Sequence, residues 1–268
     1  MGKFGPDGLP SAVVLTVDNL GEASALERGT QDDPTGSDPS VTTALPWLLD
    51  ELEAHDLTAT FFVEAINTEI YPDAVREIAA RGHELGLHGW RHEEWTALPA
   101  ADERDVIGRS MDAFGGLGAR PRGFRPPGGE LNARSPTLLK EAGIEWCSPA
   151  GGEAGLRRGL AYVPFDWRLV DAYHLMDSFA ALRIARGDPE SPLEPSALAD
   201  RFEEELQDLA NAGSRQTLIL HPFLMLDDDW SEGVHRLLGF IRELVRERRT
   251  WAAPGGAFAD WLRGARTS

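Results

Sequence analysis

The sequence predicts an α/β fold whose parallel strands close into a barrel. Three observations support this: short apolar segments recur along the chain, helical patterns lie between most of them, and 268 residues suit one barrel domain. Barrels of this kind commonly have about 250 residues. We therefore predict a single domain spanning residues 1–268.

Eight apolar segments have the length and composition of strands. They are Ala12–Asp18, Thr58–Val63, His83–His88, Gly123–Pro126, Ile144–Ser148, Ala161–Trp167, Thr217–Pro222 and Thr250–Ala253. Strand and helix in series are typical of a parallel sheet, and the number of strands favours closure into a barrel.

Helical patterns fill most of the intervals between these strands. They cover Pro46–Ala54, Pro72–Arg81, Asp102–Phe114, Ser135 to Gly143, Ser196–Ala212 and Glu232–Arg248. Ser135 and Ser196 are predicted N-caps, and glycine ends several of the helices. Residues 19–38 and 172–195 are too long for ordinary connections, and both follow strand ends. We expect these two loops around the mouth of an active site.

Composition limits the partners and the compartment. A formal net charge of −18 repels nucleic acid and anionic membranes, so we expect neither as a partner. Cys147 is the single cysteine, which rules out an intramolecular disulfide and a Cys-rich zinc site; we predict a buried, structural thiol. The first residues lack the hydrophobic region of a secretory leader, and this favours a cytoplasmic protein.

Polar side chains recur where the predicted strands end. In such barrels the chemistry lies at the carboxyl ends of the strands, so these residues should converge on one face. They are Asp18 and Asn19, His88 and His92, Arg125 with the turn that follows it, Asp166 and Asp171, and His221.

Each of these residue types has a chemical role that it can fill. If the chain turns helically after the third strand, His88 and His92 face one side and can share a metal ion. Asp18 can act as a general base or as a third metal ligand. His221 can protonate a leaving amine. Arg125 can orient a carboxylate in a bidentate manner, with Asp166 and Asp171 as the candidates.

The turn after Arg125 contains two prolines and two glycines, which stiffen the strand exit and permit close approach of the backbone. We predict that Pro127 and Gly128 of this turn, together with Trp167 at the end of the sixth strand, contact the substrate.

Taken in order, these motifs resemble the polysaccharide deacetylase superfamily, the NodB-homology domain, over roughly residues 11–262. The segment from Gly82 to Glu93 is similar to a cytoplasmic branch that includes peptidoglycan-deacetylase-like proteins, cyclic imidases and metal-independent allantoinases. The resemblance implies an irregular (β/α) barrel of seven or eight strands. It also implies His88 and His92 as metal ligands, Asp18 as the base and His221 as the acid. Arg125 would hold the base through a carboxylate, for which we choose Asp171.

Two positions depart from the family pattern. Asn19 stands where the family usually has a metal-binding aspartate, and a neutral amide oxygen is a poorer ligand for a cation. Gly89 stands where a serine or threonine usually follows the first histidine. We predict a divalent metal, zinc first, on Asp18, Asn19, His88 and His92.

The predicted function is hydrolysis of a non-peptide amide C–N bond, as an N-deacetylase of an N-acetylated sugar or small metabolite. Two alternatives stay open. One is a metal-independent imidase-like, allantoinase-like or rearranging enzyme on the same barrel, and the other is a non-catalytic carbohydrate-binding barrel. Assembly into a homo-oligomer is also open.

Overall fold

One curled sheet of nine strands organises the computed structural model, which describes residues 4–264. The strands are β1 (Ser11–Asp18), β2 (Thr60–Val63), β3 (Glu84–Leu87), β4 (Gly123–Phe124), β5 (Trp146–Cys147), β6 (Gly155–Arg157), β7 (Leu160–Tyr162), β8 (Arg215–Leu220) and β9 (Thr250–Ala253). The central strand β1 is buried along its whole length. This burial accounts for its nearly uninterrupted apolar sequence, because both of its faces are covered.

The strands are hydrogen-bonded in the order β6-β7-β5-β4-β3-β2-β1-β8, and β9 pairs with β1. The pairs are parallel except for β6 with β7. A parallel bridge between Val170 and Ile219, and a 2.9 Å hydrogen bond from Thr217 Oγ1 to the Pro164 carbonyl, connect β8 to the chain that follows β7. The prediction of an irregular α/β barrel is confirmed.

All eight predicted strands are present, but most are shorter than their apolar segments. The sequence analysis missed β6, a three-residue antiparallel strand at the edge of the sheet. Its sequence, Gly-Leu-Arg, is too short and too polar to stand out as a strand, so the error has a simple cause.

Eleven α-helices pack around this sheet within residues 4–264. They are α1 (Ala23–Glu27), α2 (Leu45–Ala54), α3 (Asn67–Ile70), α4 (Pro72–Ala80), α5 (Ala100–Gly116), α6 (Ser135–Glu141), α7 (Asp171–Leu175), α8 (Ala180–Ala185), α9 (Pro195–Ala212), α10 (Asp228–Arg246) and α11 (Gly255–Gly264). The prediction that Ser135 and Ser196 are helix N-caps was wrong. Ser135 lies inside α6, where its hydroxyl donates to Glu103, and α9 begins at Pro195 with Glu194 before it.

The pleat of β1 separates two apolar layers. Val13 and Leu15 belong to the large hydrophobic cluster that the helices cover, whereas Ala12 and Val14 pack with Phe62 in a smaller cluster. Because side chains alternate along a strand, Thr16 and Asp18 lie on the same face as Ala12 and Val14. This face leads to the polar site at the end of the strand. No helix within residues 4–264 has the length and apolar character needed to cross a membrane.

Candidate active site

A cavity of about 460 Å³ opens at the carboxyl ends of the strands. Asp18, His88, Arg125 and His221 line it, and they follow or end β1, β3, β4 and β8. Both long loops contribute to its wall, through residues 21–38 and 172–179. The expected position of the loops at the mouth is therefore observed, and so is the expected convergence of the strand-end residues, except that Asp166 and Asp171 do not line the cavity.

Arg125 holds Asp18 directly. Its Nη1 atom donates to Asp18 Oδ1 at 2.6 Å and to Thr16 Oγ1 at 2.9 Å, and its Nη2 atom donates to Ser148 Oγ at 2.8 Å. The guanidinium is buried and lies 4.2 Å from the centroid of the Phe62 ring. These contacts fix the Asp18 carboxylate through one oxygen, while Oδ2 lies 3.9 Å from His88 Nε2.

Asp171 contacts His221, not Arg125, so the predicted Arg125–Asp171 pair was wrong. The Asp171 Oδ1 atom lies 2.5 Å from His221 Nδ1, and Oδ2 accepts the His221 backbone N–H at 2.8 Å. Asp171 begins α7 immediately after the bridge to β8, and this position brings it beside His221 instead. The other candidate, Asp166, binds Arg186 nearer the surface.

This contact determines the protonation of His221. Burial by itself lowers the pKa of the imidazole, but the charge of Asp171 and its hydrogen bond outweigh burial and raise that pKa above its ordinary value. Since Nδ1–H donates to Asp171, the proton that remains available lies on Nε2.

His88 and His92 come together through a loop and not through the helical turn that was predicted. Gly89 and His92 have φ angles of 76° and 71°, and the two imidazole centroids are 4.9 Å apart. Glu93 stabilises this turn by accepting the backbone N–H groups of Trp90 and Arg91. A Cβ atom at Gly89 would lie 2.5 Å from Glu93 Oε2, which explains why glycine replaces the larger residue expected there.

The residues around these histidines fit a divalent cation. Burial lowers the pKa of His88 and that of His92 to about 3, so both imidazoles are neutral and able to coordinate a metal. His88 Nδ1 lies 2.8 Å from the Arg125 carbonyl, which leaves Nε2 as its ligand atom. Ligand atoms of Glu64, His88 and His92 lie within 4.8 Å of one another. The Asn19 Oδ1 and Glu64 Oε1 atoms are buried without a hydrogen-bond partner, as expected of atoms that await a cation.

The loop that follows β1 is fastened to the barrel by Glu22. Its buried carboxylate accepts hydrogen bonds from Thr35 N, Thr35 Oγ1 and Gly36 N, and from the Tyr71 hydroxyl at 2.6 Å. Although burial acts to raise the pKa of Glu22, these hydrogen bonds lower it overall. The carboxylate therefore holds one wall of the cavity in place.

The sequence and the fold both match one family of known proteins. The family model described as polysaccharide deacetylase matches residues 10–147, which include Asp18, His88, His92 and Arg125. This chain belongs to the polysaccharide deacetylase family. The predicted family is thus confirmed, and its members generally use a divalent metal.

The curated relatives in this family match the chain locally. Chitin deacetylase 1 of Saccharomyces cerevisiae is 37% identical over 89 residues, which are 32% of this chain and 29% of the yeast protein. A peptidoglycan-N-acetylglucosamine deacetylase of Bacillus cereus is 34% identical over 87 residues, 32% of each chain. The chain therefore spans about a third of the length of these relatives.

The similarity to solved structures extends over nearly the whole barrel. A Mycobacterium smegmatis protein assigned to the polysaccharide deacetylases has 25% identity and a TM-score of 0.83, covering 98% of this chain and 93% of its own. An allantoinase has 15% identity and a TM-score of 0.77, covering 96% and 92%. At that identity, the allantoinase shows a shared fold only.

The predicted substrate-contacting residues divide between two surfaces of this deacetylase-family barrel. Gly128 and Trp167 line the cavity, a position from which they could contact a substrate. Pro127 is buried and borders a neighbouring depression that shares Gly128 and His92 with the cavity, so its contact with substrate stays a prediction. Its ring lies close to Gly89, where an added Cβ atom would be 3.3 Å from Pro127 Cγ.

Sequence reasoning also missed residues that the fold brings to the site. Phe165 and Phe179 pack against Trp167 at the cavity, and Phe223, which also lines it, packs against His221. The most important omission is Glu64, which directly follows β2. The rule that identified polar residues at the other strand ends would have identified it as well.

Proposed function

We propose that this protein hydrolyses the acetamide C–N bond of an N-acetylated saccharide, releasing acetate and a free amine. One observation carries the proposal: Asp18 held by Arg125, and His221 held by Asp171, line the same cavity. A base and an acid that are positioned separately around one cavity are what amide hydrolysis requires. The deacetylase names of the relatives agree with this chemistry.

Asp18 acts as the general base. Its Oδ1 atom is engaged by Arg125, which leaves Oδ2 to accept a proton from the attacking water. The buried Arg125 keeps the carboxylate in one orientation, because Thr16 and Ser148 fix the guanidinium in turn. As the water oxygen bonds to the carbonyl carbon, its proton passes to Asp18.

His221 acts as the general acid. Asp171 binds its Nδ1–H, so the Nε2 proton is the one available to the substrate nitrogen when the C–N bond breaks. The raised pKa of His221, caused by Asp171, favours the protonated form that donates this proton. The products are the amine and the carboxylic acid, and proton exchange with solvent returns both side chains to their starting states.

His88 and His92 would hold a divalent metal ion, together with oxygen ligands from the surrounding residues. When bound, such an ion polarises the amide carbonyl and acidifies water, which helps both attack and oxyanion stabilisation. Zinc is our first choice, because neutral imidazole and carboxylate oxygen are ligands that it commonly takes.

The cavity favours a small saccharide. Its volume of about 460 Å³ lies within the roughly 300–1,000 Å³ typical of sites for small molecules. Phe165, Trp167, Phe179 and Phe223 supply flat apolar faces against which a sugar ring can pack. The segment from Ala172 to Phe179 closes one side, so we propose a short N-acetylated oligosaccharide or monosaccharide and not a long polymer.

The test is acetate release from N-acetylglucosamine and its short oligomers by zinc-loaded protein, with a cyclic imide as the comparison substrate. We expect acetate from at least one saccharide, and a rate loss of roughly 10²–10⁴ in Asp18→Asn and in His221→Ala. Ring opening of the imide without acetate release would favour the imidase-like alternative. Saccharide binding without hydrolysis of either substrate would favour the non-catalytic one.

A further inference from the structure

The metal-binding aspartate that the family usually has directly after β1 is absent from this chain. A different carboxylate, that of Glu64, lies nearby. Asn19, directly after β1, supplies only an amide, and its buried Oδ1 atom has no hydrogen-bond partner. A site that holds a divalent cation on two neutral imidazoles and an amide would lack any ligand with negative charge apart from Asp18. Asp18 is already paired with Arg125.

Glu64 supplies a carboxylate from the next strand. It directly follows β2, its side chain is fully buried, and β2 pairs with both β1 and β3. Its backbone therefore lies between the strand that leads to Asn19 and the strand that leads to His88. The position follows from the parallel register, because carboxyl ends of neighbouring strands meet at one edge.

The two oxygens of Glu64 differ in their surroundings. Oε2 accepts the Leu20 N–H at 3.2 Å and Asn67 Nδ2 at 3.4 Å, and these contacts orient the carboxylate. Oε1 is buried and has no hydrogen-bond partner within the described structure. A buried carboxylate oxygen without a partner is costly, so its retention calls for a ligand that the protein atoms do not provide.

A metal ion could fill this need, and the nearest side chains that could bind the same ion are those of the two histidines. Ligand atoms of Glu64, His88 and His92 all lie within 4.8 Å of one another. In the tetrahedral geometry that zinc usually takes, ligands about 2.0–2.2 Å from the ion lie about 3.3–3.6 Å apart, so the three side chains would draw closer together around a bound ion. Outer contacts already fix two of the three: the Arg125 carbonyl fixes His88, and Leu20 N–H fixes Glu64.

From this geometry we infer that Glu64 is the carboxylate ligand of the metal, in place of the missing carboxylate at Asn19. A carboxylate ligand at Glu64 instead of position 19 assigns metal binding and proton transfer to different carboxylates. With Glu64 supplying the negative charge to the cation, Asp18 stays on Arg125 and is free to serve as the base. The inference rests on the metal site of the proposed function, and it concerns binding of the ion and not the turnover of a substrate.

The test measures zinc binding to chelator-stripped protein, by competition with a chromogenic chelator and by the rise in Tm that zinc produces. We expect Glu64→Gln to weaken zinc binding by at least about 100-fold, the upper end of the loss seen when an outer-shell partner is removed. The matched control is Glu84→Gln, which removes a partly buried glutamate at the start of β3, hydrogen-bonded to Thr60 and not to the histidines. This control should keep the affinity of the parent protein.

A double variant makes the test specific to the position of the charge. Asn19→Asp combined with Glu64→Gln returns a carboxylate to the end of β1, and we expect it to recover most of the lost zinc affinity. If Glu64→Gln folds poorly, Glu64→Asp provides a milder change, which should lower the affinity by shortening the reach of the ligand. Cobalt-loaded protein gives a second readout, because loss of a ligand changes the visible spectrum.

Unchanged zinc affinity and an unchanged cobalt spectrum in Glu64→Gln would overturn the inference. Failure of the parent protein to bind zinc, cobalt or manganese would overturn it equally. A parent protein that binds zinc through Glu64 but releases no acetate from any saccharide would count against the proposed function alone. The two proposals therefore fail by different measurements.

Discussion

The contact between Asp171 and His221 makes a prediction that distinguishes this site from the arrangement expected from sequence. In Asp171→Asn the isosteric amide keeps the volume of the side chain but loses its charge. It also loses the charge-assisted hydrogen bond to His221 Nδ1, which is 2.5 Å long in the parent protein. Burial and the charge of Arg125 then disfavour the imidazolium ion, and only the charge of Asp18 still favours it.

The expected magnitude follows from that single bond. A hydrogen bond to a charged group contributes about 1.5–3 kcal/mol, and about 1.4 kcal/mol corresponds to a factor of ten in rate. We therefore expect acetate release to fall by roughly 10- to 150-fold. His221→Ala removes the acid itself and should cost more, roughly 10²–10⁴.

The pH dependence of the rate gives a second, independent prediction for Asp171→Asn. The folded-state pKa of His221 is raised above its ordinary value, so the acid keeps its proton to higher pH than a free imidazole, and the rate should fall as pH rises through that pKa. Without the charge of Asp171 the pKa drops, and the basic limb of the pH–rate profile moves to lower pH. Metal content should not change, because neither residue is assigned a ligand role.

The assay is the initial rate of acetate release from the best saccharide substrate, measured across the acid and alkaline range. Asp166→Asn is the matched control, since Asp166 binds Arg186 nearer the surface and should leave the rate and the basic limb unaltered. A parent-like rate and basic limb in Asp171→Asn would refute the reasoning. A loss confined to Asp166→Asn would return the role to the other candidate carboxylate.

Two further predictions concern the walls of the site. Glu22→Gln weakens four hydrogen bonds to one buried carboxylate; it should lower the free energy of unfolding by about 1.5–3 kcal/mol and speed amide exchange at residues 35 and 36. The exposed Glu27→Gln is its control, and equal stability of the two variants would contradict the anchoring role. Gly86→Ala places a Cβ atom 2.5 Å from the Phe62 ring under Arg125; it should cost about 1–3 kcal/mol in thermal unfolding. Gly108→Ala, in open space on α5, should stabilise by up to about 1 kcal/mol, and a stable, fully active Gly86→Ala would contradict the packing argument.

Much of the fold and of the reacting groups could be predicted from the sequence. Apolar segments of strand length located eight strands, because each strand that is buried in the barrel must be apolar over its own length. Asp18, His88, Arg125 and His221 were found because they end or follow such segments, and parallel strands bring their carboxyl ends to one edge. Strand burial and the polar residues at strand ends are local properties of the chain, so they can be inferred from short stretches of sequence.

The pairing of the polar groups could be decided only by the tertiary structure. Asp171 lies 50 residues from His221, and Asp18 lies 107 residues from Arg125. Which carboxylate meets which cation depends on the curl of the sheet and on the point where the chain after β7 touches β8. Motif order carries no measure of these distances. For this reason sequence reasoning assigned Asp171 to the wrong partner.

The absence of distance information in the sequence also explains why the loop that joins His88 to His92, and the approach of Glu64 to them, were not predicted. His88 and His92 are four residues apart, a spacing that also suits a helix, but the left-handed backbone at Gly89 and His92 brings them together through a loop. Glu64 directly follows a predicted strand, so its place at the barrel edge could be predicted, but its approach to two histidines that follow another strand could not. What the sequence determined by itself was the set of candidate polar groups and the barrel edge where they collect. The tertiary structure decided the partners, because ion pairs and metal ligands depend on distances of a few ångströms between strands that are remote along the chain.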